Sequence, residues 1–109
     1  MGMLDHWQPV ALSRALRKKP LGVVVANQPV ALFRTASGAP AAVSDVCPHR
    51  RLKLSAGAVA GDRIQCKYHG WTFDACGNGE SPGAPKMTTC TTSYDVREQH
   101  GLVWLKSRH

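Results

Sequence analysis

Short apolar runs separated by turn residues recur along the chain, and this pattern indicates a β-rich fold. Strands are predicted at residues 7–10, 21–26, 30–34, 41–44, 63–66, 71–73, 93–97 and 102–105. Between the first two, Ser13 is expected to cap one short helical turn through Leu16 and Arg17, which Pro20 ends. The last two strands flank Gln99-His100-Gly101 and read as a closing hairpin.

The middle of the chain differs in composition from the rest. From Asp45 to Gly83 the residues Cys, His, Pro and Gly are dense, and only the two short strands at 63–66 and 71–73 interrupt the loops. A length of 109 residues suits one domain. The pattern therefore predicts an all-β fold: a small antiparallel domain with a loop-rich insertion in its middle.

Composition predicts a thin core. Val, Leu, Ile and Phe total 22 residues, so a metal or a disulfide would help to hold the fold together. The four Cys and five His residues are candidates for such a cross-link. No apolar run approaches the roughly 20 residues of a membrane helix. Because the first ten residues do not read as a signal peptide, a cytoplasmic location is expected, where paired Cys and His more often hold metal than form disulfides.

The chain is basic, with a formal net charge of +7. Its Lys and Arg residues are scattered, and no helix-turn-helix or aromatic RNA-binding motif accompanies them. A solvated basic face therefore explains most of the charge, and no nucleic-acid partner is expected.

Two pairs of residues, each made of one Cys and one His, are the candidate metal ligands of this sequence. Cys47 and His49 are separated by one residue, and Cys66 and His69 by two. Zinc accepts two Cys and two His, but its usual fingers pair Cys with Cys and His with His. Mixed pairs favour a [2Fe-2S] cluster in which each loop gives one ligand to each iron. A zinc-stapled structural or binding module without a redox role is the alternative.

An ordered set of motifs surrounds these pairs. Cys47-Pro48-His49-Arg50 is followed by Leu54-Ser55 with Gly57, by Gly61-Asp62, and by the run from Cys66 to Asp74 with Gly77. This order, with the flanks at 7–10, 30–34 and 94–104, resembles the amino-terminal Rieske domain of bacterial Rieske non-haem iron oxygenases. The resemblance implies a Rieske-type antiparallel β-sandwich or barrel over residues 1–109, with a cluster-binding subdomain at about 45–85.

The resemblance also implies the ligands of the cluster. Cys47 and Cys66 would hold the inner iron, and His49 and His69 would hold the outer iron near solvent. The expected surroundings of the cluster comprise Arg50, Tyr68, Gly70, Trp71 and Pro82.

Alternatives stay open for several of these neighbours. Arg50 either places a cation beside the cluster or bonds to backbone carbonyls of its own loop. Tyr68 and Trp71 are either electron stepping stones or packing groups of a thin core. Pro82 would belong to a third loop, at residues 81–85, that covers the cluster.

The implied role is a one-electron relay. The remaining His6, His100 and His109 are dispersed, and no carboxylate stands at helical ligand spacing from a His pair, so no second iron site and no catalytic residue are assigned. The electron would come from a flavin or iron–sulfur reductase and pass to the mononuclear iron of an oxygenase. The chain would act either as a domain of that oxygenase or as a ferredoxin-like carrier. Cys76 and Cys90 are expected to be ordinary small residues or free thiols.

Overall fold

Two antiparallel sheets hold most of the part of the chain that the structure describes. That part of the computed structural model is residues 6–46, 53–67, 70–81 and 84–107, with residues 84–89 described by their backbone alone. No α-helix occurs in these ranges, and two 3-10 turns lie at Ser13–Ala15 and Leu54–Ala56. The all-β fold class predicted from the sequence is confirmed.

The first sheet has six strands. They are β1 (Gln8–Leu12), β2 (Leu21–Val25), β3 (Gln28–Arg34), β4 (Pro40–Ser44), β10 (Ser93–Gln99) and β11 (Leu102–Ser107). Their order is β1-β11-β10-β4-β3-β2, so the first strand pairs with the last, and Gln8 faces Leu105.

The second sheet is built from the middle of the chain. It contains β5 (Ala58–Ala60), β6 (Arg63–Gln65), β7 (Thr72–Phe73), β8 (Asn78–Ser81) and β9 (Ala84–Cys90), in that order. Most of these strands are only two to four residues long. Such short strands are stable only when they pack against other elements.

Strand β3 is buried on both of its faces because successive side chains point in opposite directions. Ala31 and Phe33 face a core between the two sheets, and Val30 and Leu32 face a second core on the other side of the six-stranded sheet. The inter-sheet core also contains Ala41, Val43, Leu54, Ile64, Cys66, Trp71 and Phe73. The second core also contains Leu16, Val25, Ala42, Tyr94, Val103 and Leu105.

Arg34 ties the first 3-10 turn to the six-stranded sheet. Its guanidinium donates to the carbonyl oxygens of Leu16 at 2.6 Å, Ser13 at 3.0 Å and Gly38 at 2.9 Å. It also donates to both carboxylate oxygens of Glu98, at 3.0 and 2.7 Å. One side chain therefore binds three carbonyl oxygens on two backbone segments and also forms an ion pair.

The expected cap at Ser13 is wrong. Ser13 is the first residue of the 3-10 turn, Leu12 occupies the capping position, and no side chain caps the turn there. Because β1 continues to Leu12, beyond the predicted end at Val10, the turn begins directly at the end of the strand.

The predicted insertion is more regular than its composition suggested. Strands β5 and β8 form where loops were expected, and β9 carries the second sheet to Cys90. Of the expected third loop at 81–85, the described residues 81, 84 and 85 lie in strands β8 and β9, and Ser81 pairs with Ala84. Pro82 lies outside the described residues.

Candidate metal centre

Cys66 stands directly after β6, at the edge of the inter-sheet core. Its side chain is 2% exposed, and its backbone N–H donates to the carbonyl oxygen of Trp71 at 2.7 Å. This hydrogen bond closes the base of the short loop between β6 and β7. Gly70 in the same loop has φ +70°, a left-handed conformation that glycine adopts without steric cost. The hydrogen bond between Cys66 and Trp71 therefore holds the backbone of Cys66 in place.

Trp71 packs into the same core as Cys66. Its side chain is 7% exposed and lies in the cluster that contains Phe33 and Phe73. This burial supports the packing interpretation of Trp71. Cys66 and Trp71 therefore border an apolar core from which water is excluded.

Most of the predicted site lies outside the described residues. Cys47, His49, Arg50, Tyr68, His69 and Pro82 all fall in this category. Their predicted roles as ligands or neighbours of a cluster stay predictions. Of the predicted set, the structure brings together Cys66, Gly70 and Trp71.

The described ends of the first motif loop are held together. The carboxylate of Asp45, which is 3% exposed, accepts hydrogen bonds from the backbone N–H and the hydroxyl of Ser55, both at 2.6 Å. Asp45 follows β4, and Ser55 lies in the second 3-10 turn. The two described ends of the segment that contains Cys47 and His49 are therefore joined by hydrogen bonds.

A close contact between Gly57 and Gln65 brings the turn that contains Ser55 next to the loop of Cys66. A Cβ atom built on Gly57 would stand 1.9 Å from the carbonyl oxygen of Gln65, so only glycine fits at this position. Gly57 follows the turn that holds Ser55, and Gln65 precedes Cys66. The bases of the two predicted ligand loops are thus neighbours, as a shared site requires.

A cavity of about 390 Å³ lies between these segments. Its lining residues are Ala56, Gly57, Ala58, Gln65, Cys66, Lys67 and Gly70. Among these, the exposed Lys67 brings a positive charge to the cavity. A buried, soft sulfur donor on a hydrogen-bonded backbone, with a cation nearby, fits an iron–sulfur cluster that becomes more negative on reduction.

Other candidate ligands lie elsewhere. His6 and His100 are exposed. Cys76, in the turn between β7 and β8, and Cys90, at the end of β9, are exposed free thiols. Within the described ranges, no three His, Cys, Asp or Glu residues lie together in a way that could hold a metal ion. A metal centre at Cys66 would therefore need ligands from outside the described residues, where the predicted ligands Cys47, His49 and His69 lie.

A second, larger cavity of about 910 Å³ lies at the turn between β5 and β6. Gly61 in this turn borders it, whereas Gly57 and Gln65 lie at the other end of the same hairpin. Its lining residues include Leu16, Lys18, Lys19 and Val59 but no His or Cys. It is therefore separate from the candidate centre.

Asp45, Ser55 and Gly57 were not singled out as functional residues from the sequence. A signal was available, because Asp45 stands two residues before Cys47, directly after a predicted strand, and Ser55 lies six residues after His49. A carboxylate that becomes buried at the end of a strand needs a hydrogen-bond donor nearby.

No helix among the described residues is both long and apolar enough to cross a membrane.

Comparison with known proteins places these features in context. Residues 6–97 match the Rieske [2Fe-2S] domain family. The chain is 38% identical to the oxygenase component of dicamba O-demethylase from Stenotrophomonas maltophilia over 105 residues, which cover 93% of this chain and 31% of that protein. It is also 38% identical to 4beta-methylsterol monooxygenase from Methylococcus capsulatus, over 93% of this chain and 30% of that protein.

Solved structures agree with the sequence matches. The crystal structure of apo dicamba monooxygenase has a TM-score of 0.90 at 33% identity, covering 99% of this chain and 35% of that one. The chain therefore spans about a third or less of the length of the curated relatives it matches.

Proposed function

Because this chain belongs to the Rieske [2Fe-2S] domain family, we propose that it relays single electrons from a reductase to the mononuclear iron of an oxygenase. Its cofactor is a [2Fe-2S] cluster of the Rieske type, and its relatives are components of oxygenase systems. When bound, such a cluster takes up and releases one electron at a time.

The proposed ligands are Cys47 and Cys66 for one iron and His49 and His69 for the other. The observation that carries this proposal is the position of Cys66: a buried thiol on a loop closed by the Cys66–Trp71 hydrogen bond. The contact of Gly57 with Gln65 supports the pairing of the two loops. Residues 1–109 are proposed to form a single Rieske domain.

Each described residue of the site has a defined part in this function. Gly70 permits the tight turn of the second loop, and Trp71 excludes water from the side of the core. Lys67 places a positive charge beside the site, which would stabilise the reduced cluster and attract an acidic surface of a redox partner. The proposed redox partners are the reductase that supplies the electron and the oxygenase iron that receives it.

The first test is the electron paramagnetic resonance spectrum of the anaerobically purified, dithionite-reduced full chain. We expect the signal of a binuclear cluster with mixed nitrogen and sulfur ligation, together with two iron and two sulfide per chain. A silent spectrum from a colourless protein that contains zinc would replace the proposal by the zinc-module alternative.

Substitutions then test the ligand assignment. Cys66→Ser and His69→Ala are expected to abolish the signal, as are Cys47→Ser and His49→Ala. The matched controls Cys76→Ser and His100→Ala change an exposed residue of the same type and are expected to keep it. Retention of the native spectrum in Cys66→Ser would contradict the assignment.

A further inference from the structure

We propose that Asp45 is a positioning residue: it clamps the first cluster loop to the six-stranded sheet and thereby fixes where Cys47 and His49 are presented. The inference rests on the proposed function, because it takes these two residues as cluster ligands. Asp45 itself is two residues away from Cys47 and is not a ligand.

The clamp is anchored on the sheet by its backbone. The N–H of Asp45 donates to the carbonyl oxygen of Pro29 in β3 at 3.0 Å. The preceding residue, Ser44, donates its N–H to the carbonyl oxygen of Thr92 at 2.8 Å. These two hydrogen bonds therefore fix the backbone at the point where Asp45 leaves the sheet, and with it the direction of the Asp45 carboxylate.

The carboxylate replaces a missing cap. The 3-10 turn at Leu54–Ala56 begins after Lys53, whose side chain makes no capping hydrogen bond. Asp45 caps this turn from across the loop through the N–H of Ser55, and the Ser55 hydroxyl engages the second carboxylate oxygen. Burying a carboxylate is costly unless it is hydrogen-bonded, so these two contacts hold the clamp in one geometry.

Strand β2 packs directly behind the clamp. A Cβ atom on Gly22 would stand 2.7 Å from the Ser55 hydroxyl oxygen and 3.0 Å from Oδ2 of Asp45. Gly22 has no positive φ that would explain a glycine there, so the requirement comes from this close approach. The clamp therefore fills a space whose size the sheet sets.

The clamp lowers the conformational entropy that the loop loses when it binds a cluster. An open loop loses conformational entropy when two of its residues are brought to one metal centre. A loop whose ends are already joined has less to lose, and its ligands are oriented in advance. Cluster retention and ligand geometry should therefore depend on Asp45, although Asp45 does not touch iron.

The test compares three variants that disturb the clamp from different sides: Asp45→Asn, Ser55→Ala and Gly22→Ala. The cluster absorbance is followed during incubation of the full chain with an iron chelator, and the reduced protein is examined by electron paramagnetic resonance. We expect cluster loss to be about tenfold faster in each variant, with broadened resonance lines in the fraction that keeps its cluster.

Two controls separate positioning from general loss of stability. Asp74 also accepts two backbone hydrogen bonds, from Cys76 and Asn78, but at the turn between β7 and β8. Asp74→Asn, and Val24→Ala at an exposed position of β2, are expected to keep the native line shape and a rate of cluster loss within twofold of the unchanged chain.

The outcomes distinguish this inference from the function on which it rests. If the unchanged chain lacks the mixed-ligand signal, the proposed function fails. If it has that signal and the clamp variants keep native rates and line shapes, the clamp proposal alone is overturned. Because Asp45 and Ser55 act as one unit, the double variant should lose its cluster no faster than the worse single variant, and additive effects would contradict the proposal. If Asp45→Asn fails to fold, the comparison of Ser55→Ala with the controls decides.

Discussion

The ion pair of Arg34 and Glu98 shows what one side chain contributes to this small fold. The guanidinium hydrogen bonds lower the pKa of Glu98 from its ordinary value of 4.5 to about 2, and the same contact raises the pKa of Arg34. Both shifts favour the charged forms, so the native state keeps Glu98 ionised at pH values where the unfolded chain protonates it.

We therefore expect this pair to stabilise the fold fully above about pH 4.5 and to lose that contribution as the pH falls toward 2. Glu98→Gln should lower the free energy of unfolding at pH 7 by about 1 kcal/mol or less, because solvent screens a pair that is partly exposed. The difference from the unchanged chain should vanish near pH 2. Thermal unfolding measured from pH 7 to pH 2 checks this.

Glu80→Gln is the matched control, since Glu80 lies 3.7 Å from Arg63 and is more exposed. Its acid-side profile should follow that of the unchanged chain. A Glu98→Gln chain whose stability difference persists unchanged down to pH 2 would contradict the assigned cause.

At the scale of the strands, alternation and apolar runs were enough to predict the strands of the six-stranded sheet, although not the pairing of β1 with β11. β2, β3, β4, β10 and β11 all lie within a few residues of their predicted positions, because each carries residues of one of the two cores. Strong periodicity of this kind is a direct consequence of burial.

The second sheet was harder to predict because it depends on pairing more than on burial. β8 reads Asn-Gly-Glu-Ser, which has low strand propensity, and it forms between β7 and β9. In β9, Thr88 and Thr89 were a signal that went unused, since β-branched residues favour strands. At the site, the motif spacing predicted four ligands, of which the structure describes Cys66, and the other three stay predictions. The Asp45–Ser55 contact joins residues ten positions apart and became visible only in the fold.

Gly57 gives a prediction at this scale. Gly57→Ala would drive a Cβ atom into the backbone of Gln65, and the two loops beside Cys66 would have to separate. We expect a loss of about 2–3 kcal/mol or more, which is roughly 10 °C or more in Tm for a chain of this size. Thermal unfolding measured on both forms of the chain, with and without cluster, checks this.

Gly61→Ala is the control for the change in residue type. Gly61 has φ +64°, and the space where its Cβ would stand is open, so about 1 kcal/mol of backbone strain is expected. Equal losses in the two variants would mean that the contact with Gln65 does not limit the fold.

For the whole molecule, the two cores imply two levels of stability. The six-stranded sheet has strands of five to seven residues and a core of its own on one side. The second sheet shares only the inter-sheet core, and the loops that join its strands include Cys66 and the predicted ligand His69. Cluster binding should therefore stabilise the second sheet more than the first.

Hydrogen–deuterium exchange on the cluster-loaded and chelator-treated chain tests this difference. We expect removal of the cluster to speed amide exchange in β5 to β8 by about tenfold or more, with β3, β10 and β11 little changed. Equal acceleration across both sheets would show that the fold responds to cluster loss as one unit.

The pairing of β1 with β11 has a consequence for chain connectivity. Gln8 and Leu105 face each other across one ladder, so the two ends of the domain emerge side by side. The fold could be joined end to end by a short linker and reopened at the exposed turn around Gly38, with every strand pair kept. For the same reason the domain could be inserted into a surface loop of a host protein, as an electron-transfer cassette that leaves the host's own chain path almost undisturbed.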